Sequence, residues 1–403
     1  MASASDLTSV AYIYKKTYAQ GLGDAALREH PMLNNATKIG AFTGESFRYS
    51  VKYGNPQGVS GKLTNAQTNA KASKGLQFEA FRFTKYGVIT LKGEAIAASE
   101  GNTGALIDLV TNETESILSE MVDSLAFDLY RGAAGGGSGV RGQRKSASTN
   151  VITLQLADDA RNFKVDMTVG ASPNADGSSP RTGTTTVSAV DEDAGTITLT
   201  SAAAITGFAD NDFLYRDGDP GTCVEGWEAC TPLTSPVLGS DSFRGKDRGA
   251  DPRRLAGSRL SDTTNTIEEN AGTVAIRINQ AGGKANQYYL NPQNFWQVAR
   301  RANAKVIYEG GGGNVDYGFE TMMLHTPAGT VKVFSDPDCP VNRGRLVNSA
   351  DWYIRHLKDF PHIIMDDGRP NLRQTSDDGI EARIRSFHNL IQPNTRNHGV
   401  HLI

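Results

Sequence analysis

Cysteine is scarce in this chain of 403 residues. Its three cysteines, Cys223, Cys230 and Cys339, are too few and odd in number for the disulfide framework of a small secreted protein. Cys223 and Cys230, in CVEGWEAC, lack C-x-x-C spacing, and no histidine pair follows at finger spacing, so unpaired thiols are expected rather than a metal site. No surplus of charge exists either: 41 Lys+Arg stand against 44 Asp+Glu, a net charge of -3. That balance gives no whole-protein attraction to nucleic acid or to an anionic membrane, and any such contact needs a local patch. No apolar run reaches the roughly 18 residues of a membrane span. The opening MASASDLTSV has neither a charged n-region nor an apolar h-region, so no signal peptide is expected, and synthesis in a reducing cytosol is. No internal repeat of 20–50 residues is present.

Catalytic signatures are missing too. The glycines at 310–313 are not followed by Lys-Ser/Thr, which leaves a surface loop rather than a phosphate cradle. His356, His362, His388, His398 and His401 form no H-E-x-x-H, and packing or surface roles are expected for them. No G-x-S-x-G elbow occurs, and GGSG at 136–139 reads as a hinge because no strand precedes it. No catalytic, cofactor-binding or metal-binding residues are therefore expected, and an enzyme is not.

What the sequence does have is glycine, 43 of 403, about 11% against a usual value of about 7%, together with enough apolar residues (38%) for packed cores. Residues 1–40 read as an arm with one short helical stretch over 9–20, whose few apolar side chains could not form a core alone. FRYSVKY (47–53) and LQFEAFRFTKYGVITL (76–91) alternate apolar and polar residues and flank a polar tip, giving a very long hairpin that is marginal by itself. Leu106, Val110, Ile117, Met121, Leu125 and Leu129 recur at helical spacing and predict a strut helix over 102–130, about 40 Å long. GAAGGGSG at 132–139 is expected to end it as a hinge. The strand-like stretches 151–156, 163–169, 182–190 and 195–201 predict a small all-β module at 150–217, inserted in the chain because mixed structure resumes after it. Beyond it, helices are expected over 264–281 and 292–303, and strands over 287–290, 321–325, 331–334 and 380–391.

The order of arm, long hairpin, strut helix, glycine hinge and mixed α+β body resembles the Hong Kong 97-type major capsid proteins of tailed phages. The stretches FRGKDRGADPRRLAGSRL (243–260), QYYLNPQNFWQVARRANAKVIYEG (287–310) and GFETMMLHTPAGTVKVFSDPDCP (318–340) add to the likeness, which spans most of 40–403. It implies an N-terminal arm at 1–40, an extended loop at 41–97, and a peripheral domain with its spine helix at 98–149 and 318–350. It further implies an insertion at 150–217 and an axial domain with C-terminal strands at 218–317 and 351–403. The implied function is a shell subunit assembling as hexamers and pentamers into an icosahedral head around double-stranded DNA. The implied partners are copies of itself, a separate scaffolding protein, a portal and a decoration protein. The implied place is the virion, after assembly in the bacterial cytoplasm. The alternative is a soluble β-rich binding or decoration protein with 150–217 as its ligand module.

Two charge patterns bear on assembly. Arg244, Lys246, Arg248, Arg253 and Arg254 could touch DNA phosphates without reading sequence, but Asp241, Asp247 and Asp251 interleave with them, and an internal salt-bridge network is at least as well supported. From 48 to 92 the charged residues are basic apart from Glu79, whereas from 99 to 130 they are all acidic. Two solvated faces would explain that. Under the resemblance the basic hairpin would lie on the acidic helix of the next subunit. Arg48, Lys52, Lys71, Lys74, Lys85, Glu113, Glu120 and Asp123 are then the expected inter-subunit contacts.

Overall fold

A computed structural model of the protein describes residues 30–40, 42–92, 103–132, 139–302, 322–358, 361–364, 371–373 and 379–403. The expected arm helix at 9–20, the glycines at 133–138 and the loop at 310–313 lie outside these. The fold is mixed α+β. Among the described residues the strands make two six-stranded sheets, one closed six-stranded barrel and one two-stranded ribbon.

The ribbon is the hairpin. Ser46–Gly54 pairs antiparallel with Lys74–Phe81, and alternation puts Tyr49, Val51, Phe78 and Ala80 on the buried side. The second strand does not run on to residue 91 as a hairpin partner. It breaks at Arg82, whose guanidinium donates to the Phe42 carbonyl at 2.7 Å. The next strand, Phe83–Lys92, pairs over ten positions with Gly379–Ile391 instead. The chain thus leaves the ribbon and enters the first six-stranded sheet, with Thr37–Ile39, Tyr353–His356, His362–Ile363 and Asn371–Arg373.

The long helix is Thr103–Tyr130, as its periodicity predicts. Leu118, Met121, Val122, Leu125, Ala126, Leu129 and Tyr130 are buried along one stripe. Leu118, Met121 and Leu125 cluster with Ile384 of the first sheet. A Cβ on Gly87 would stand 3.2 Å from Ile117, so glycine lets strand and helix approach closely. Gly132, past the helix end, is tighter still: its Cβ would sit 2.1 Å from the backbone nitrogen of Gly226. This glycine is a site of close packing, not of hinge freedom.

The barrel comprises Val140–Ser148, Val151–Leu154, Thr168–Ser172, Thr185–Asp191, Thr196–Leu199 and Phe213–Arg216. It begins about ten residues earlier than the expected module at 150, because Val140–Ser148 closes it against both Val151–Leu154 and Phe213–Arg216. That strand, RGQRKSAS after Val140, is too polar to show a strand pattern. Residues 157–162, between two expected strands, form a 3-10 turn. Ile152, Leu154, Val169, Ala171, Val187, Ile197, Leu199 and Leu214 fill the interior.

The second sheet runs Ser258–Leu260, Gly399–Leu402, Arg343–Val347, Gln287–Leu290, Gly329–Ser335, Met322–Thr326. The helix Ile267–Gln280 covers it, started by a capping box in which Thr266 accepts from Glu269 N (3.3 Å) and Glu269 accepts from Thr266 N (2.9 Å). The segments divide differently from the expected domains. Strands between 322 and 347 join the sheet of Gln287–Leu290, while those between 353 and 391 lie with the hairpin's exit strand beside the long helix. Strand pairing between distant segments decides this, and local pattern carries no trace of it. Among the described residues no helix is long and apolar enough to cross a membrane.

Candidate assembly surfaces

Three acids of the long helix, Glu120, Asp123 and Asp128, are paired within their own chain. Glu120 takes hydrogen bonds from Lys164 and Arg216, both from the barrel. Asp123 Oδ2 accepts from Lys164 Nζ at 2.9 Å, and its Oδ1 lies 3.0 Å from His30 Nε2. Burial pushes both carboxyls up, but the bonds from Lys164 with Arg216 or His30 outweigh it and hold them below the usual range. His30 Nδ1 also bonds Asp338 Oδ2 at 2.6 Å. Burial pulls the imidazole down, yet the two carboxylates raise it to about 10, so His30 is a cation at neutral pH.

Lys85 lies inside the protomer too. Its side chain is 14% exposed, bonds the buried Asp128 of the long helix, and stands 3.9 Å from Asp219. Burial lowers its affinity for the proton, but Asp128 outweighs this and raises it. Asp128, Asp219 and Cys223 form a tight cluster that could hold a cation. The Lys85 ammonium, with Arg141 3.7 Å from Asp219, already supplies the positive charge there. This cluster ties together the hairpin's exit strand, the long helix, the barrel's first strand and the segment after the barrel. Four of the eight expected contacts thus have a definite place: Lys85, Glu120 and Asp123 pair within the chain, and Arg48 faces Glu79 directly across the ribbon at 3.1 Å. The side chain of Glu113 lies outside the described residues. Lys52, Lys71 and Lys74 are exposed and in no ion pair among the described residues. Residue pattern gave no signal for His30, Lys164 and Arg216, which sit 93, 41 and 96 positions from the acids they meet.

The basic cluster at 244–254 is largely internal. Arg244 bonds Glu225 (2.6 Å), the Tyr49 hydroxyl (2.8 Å) and the Leu390 carbonyl (2.7 Å). Arg248 makes paired bonds to Asp241 at 2.8 and 3.0 Å. Both guanidiniums are buried and unavailable to phosphate. Lys246, Arg253 and Arg254 are exposed, the last paired with Asp251 at 2.7 Å. All three cysteines are buried and unpaired. Burial pushes their thiols up, Cys230 to about 11, which makes them poor nucleophiles. Buried His388, His398 and His401 are driven down by burial to about 3, 4 and 4 and stay neutral.

What remains open is the hairpin tip. Residues 55–73 carry no buried side chain, and Val59 and Leu63 are 95% and 75% exposed. The tip is nonetheless structured. Gln57 and Lys71 exchange backbone bonds at 3.0 and 2.6 Å, and the short helix Leu63–Thr68 lies between them. A depression of about 440 Å³ at the barrel, beside Arg144, Thr149, Ile205 and Phe208, is another open feature among the described residues. Arg144 there already bonds Asp210 at 3.0 Å and stacks on Phe208.

No protein-family model matches the chain, and no curated protein matches its sequence. Solved structures do. A chain of the cyanophage A-1(L) capsid asymmetric unit aligns over 92% of this chain and 91% of its own, at 13% identity and a TM-score of 0.53. A chain of the capsid of an empty GTA particle aligns over 93% and 96%, at 9% identity and a TM-score of 0.45. One from Mycobacterium phage Ogopogo aligns over 92% and 90%, at 9% identity and a TM-score of 0.43. The hairpin, long helix and mixed body of the described residues are arranged in the fold of a phage capsid protein.

Proposed function

We propose that the chain is a self-assembling shell subunit. It forms hexamers and pentamers that close into the icosahedral head of a tailed phage around double-stranded DNA, with a separate scaffolding protein, a portal and a decoration protein as partners. In this reading it acts in the virion after assembly in the host cytoplasm and performs no catalysis. The observation that carries the reading is the fold shared with a cyanophage capsid chain over nine-tenths of both chains. The hairpin supports it physically. A ribbon ending in 19 residues without a buried side chain gains little from its own chain and gains burial only on another surface. Lys71 lies in that tip, and Arg48, Lys52 and Lys74 are exposed on the strands that lead to it; these four are the inter-subunit contacts of this reading. The test is negative-stain microscopy of the purified chain, alone and co-expressed with the neighbouring genes of its source. Closed particles tens of nanometres across are expected. A monodisperse monomer under every condition would overturn the proposal and favour a soluble binding or decoration protein.

A further inference from the structure

At 120, 123 and 128 the acids of the long helix are occupied within the chain, so these three are not free to partner the cationic hairpin tip. A different acidic surface is open. Asp191, Glu192 and Asp193 form the turn between barrel strands Thr185–Asp191 and Thr196–Leu199. They are the one run of three exposed acidic residues among the described residues, and none is in an ion pair there. The turn is held in shape, with Asp191 Oδ1 accepting from Ala194 N at 2.9 Å. Ala189 and Ala194, both exposed, give it a small apolar shoulder, and Val151, 40% exposed, lies on the adjoining barrel strand.

The tip is complementary in each respect. Lys62, Lys71 and Lys74 are exposed and unpaired among the described residues, and no acid lies between Glu45 and Glu79. Val59 and Leu63 stand beside them as an uncovered apolar pair. We propose that the hairpin tip of one protomer seats on the acidic barrel turn, residues 191–193, of a neighbouring copy. The three lysines would face the three acids, with Val59 and Leu63 against Ala189, Ala194 and Val151. This rests on the assembly reading and names the surface that the tip meets. Its charges are exposed, so they steer encounter and reject wrong contacts, while the apolar pair supplies burial.

Particles assembled from a mixture of 14N- and 15N-labelled full-length chains and treated with a zero-length carbodiimide reagent test it. Mixed-isotope peptides joining Lys62, Lys71 or Lys74 to Asp191, Glu192 or Asp193 are expected. The triple variant Lys62→Glu, Lys71→Glu, Lys74→Glu and the triple variant Asp191→Lys, Glu192→Lys, Asp193→Lys should each slow assembly at least tenfold at low salt. The tip variant should keep its melting temperature, because its three side chains are exposed, and the turn variant should lower it only slightly, through loss of the bond from Ala194 N to Asp191. Particles from the two variants combined in one chain should form at near the original rate. Particles whose tip lysines link to other acids, or a combined variant as slow as either parent, would overturn this inference and leave the assembly reading standing. No particles from the unmodified chain would overturn both.

Discussion

His30 Nδ1 lies 2.6 Å from Asp338 Oδ2, across 308 residues of chain. The same ring reaches Asp123 on the long helix, so one imidazolium clamps the entry segment, the helix and the turn after Gly329–Ser335. Next to it, the buried Asp336 accepts from Met32 N at 2.9 Å and from the Tyr130 hydroxyl at 2.9 Å.

The clamp predicts a pH dependence. The folded value of His30, about 10, is above its ordinary 6.5. The stabilisation is therefore fully present below about pH 6.5, declines as pH rises, and is gone once pH passes about 10. His30→Ala should cost about 1.5–3 kcal/mol at pH 6, the range for a hydrogen bond to a charged group. Urea melts of both proteins from pH 6 to 10 check this. The gap between them should shrink steadily with rising pH, and a constant gap would contradict an imidazolium there.

Two glycine substitutions should act in opposite directions. Gly132→Ala puts a methyl 2.1 Å from a backbone nitrogen, where no rotamer change can relieve it, and overpacking of that kind costs about 1–3 kcal/mol or more. Gly272, within Ile267–Gln280, has nothing within 4 Å of an added Cβ. Gly272→Ala should stabilise by about 0.5–1 kcal/mol, the helical penalty of glycine relative to alanine. Thermal melts compare them.

The thiols should be silent in the native chain. With Cys223, Cys230 and Cys339 buried and unpaired, an aromatic disulfide reagent should titrate three thiols in guanidinium and almost none without it. A count below three in denaturant under non-reducing conditions would reveal a disulfide.

How far the sequence led depended on whether the burying partner was local. Met121, Leu125 and Leu129 recur along one helix, so the long helix was legible to within a residue. The alternation through 76–91 was legible as strand, but its phase slips near Arg82, from Leu76, Phe78 and Ala80 on the inner side to Gly87, Ile89 and Leu91, and there the chain changes sheets. Arg343–Val347 and Gly399–Leu402 were missed for a different reason. Arg345 and His401 are wholly buried and look like surface residues in sequence. Arg345 is accommodated by the Trp227 carbonyl at 3.2 Å and Glu228 at 3.1 Å, and His401 by the Tyr288 hydroxyl at 2.6 Å. The partners of Glu120 and Asp123 within the chain were hidden in the same way. The sign of the charges was legible, but the barrel residues that answer Glu120 and Asp123 come from a part of the chain with no local mark.

The barrel should fold when cut from its chain. Its core cluster is made of its own residues, and its ends meet, since Val140 lies opposite Tyr215 on paired strands. Such ends are about 5 Å apart, so joining 139 to 217 needs only a few residues. What fastens the barrel to the body is polar: Lys164 and Arg216 on Glu120, Arg131 on Asp159 at 2.6 Å, and Asn291 on Asp158 at 3.1 Å. The partly exposed pairs among these contribute about 0.2–1 kcal/mol each. A fragment of residues 139–217 should therefore give a β-type circular dichroism spectrum and one cooperative melt. The complementary chain, with that segment replaced by a short glycine-serine bridge, should keep its helix signal but melt a few degrees lower, because Glu120 and Asp123 lose Lys164 and Glu120 also loses Arg216. The loss should be smaller in high salt, where the freed carboxylates are screened. A random-coil spectrum from the fragment would mean that the barrel needs the body to close, and that the polar contacts at its base do more than fasten it.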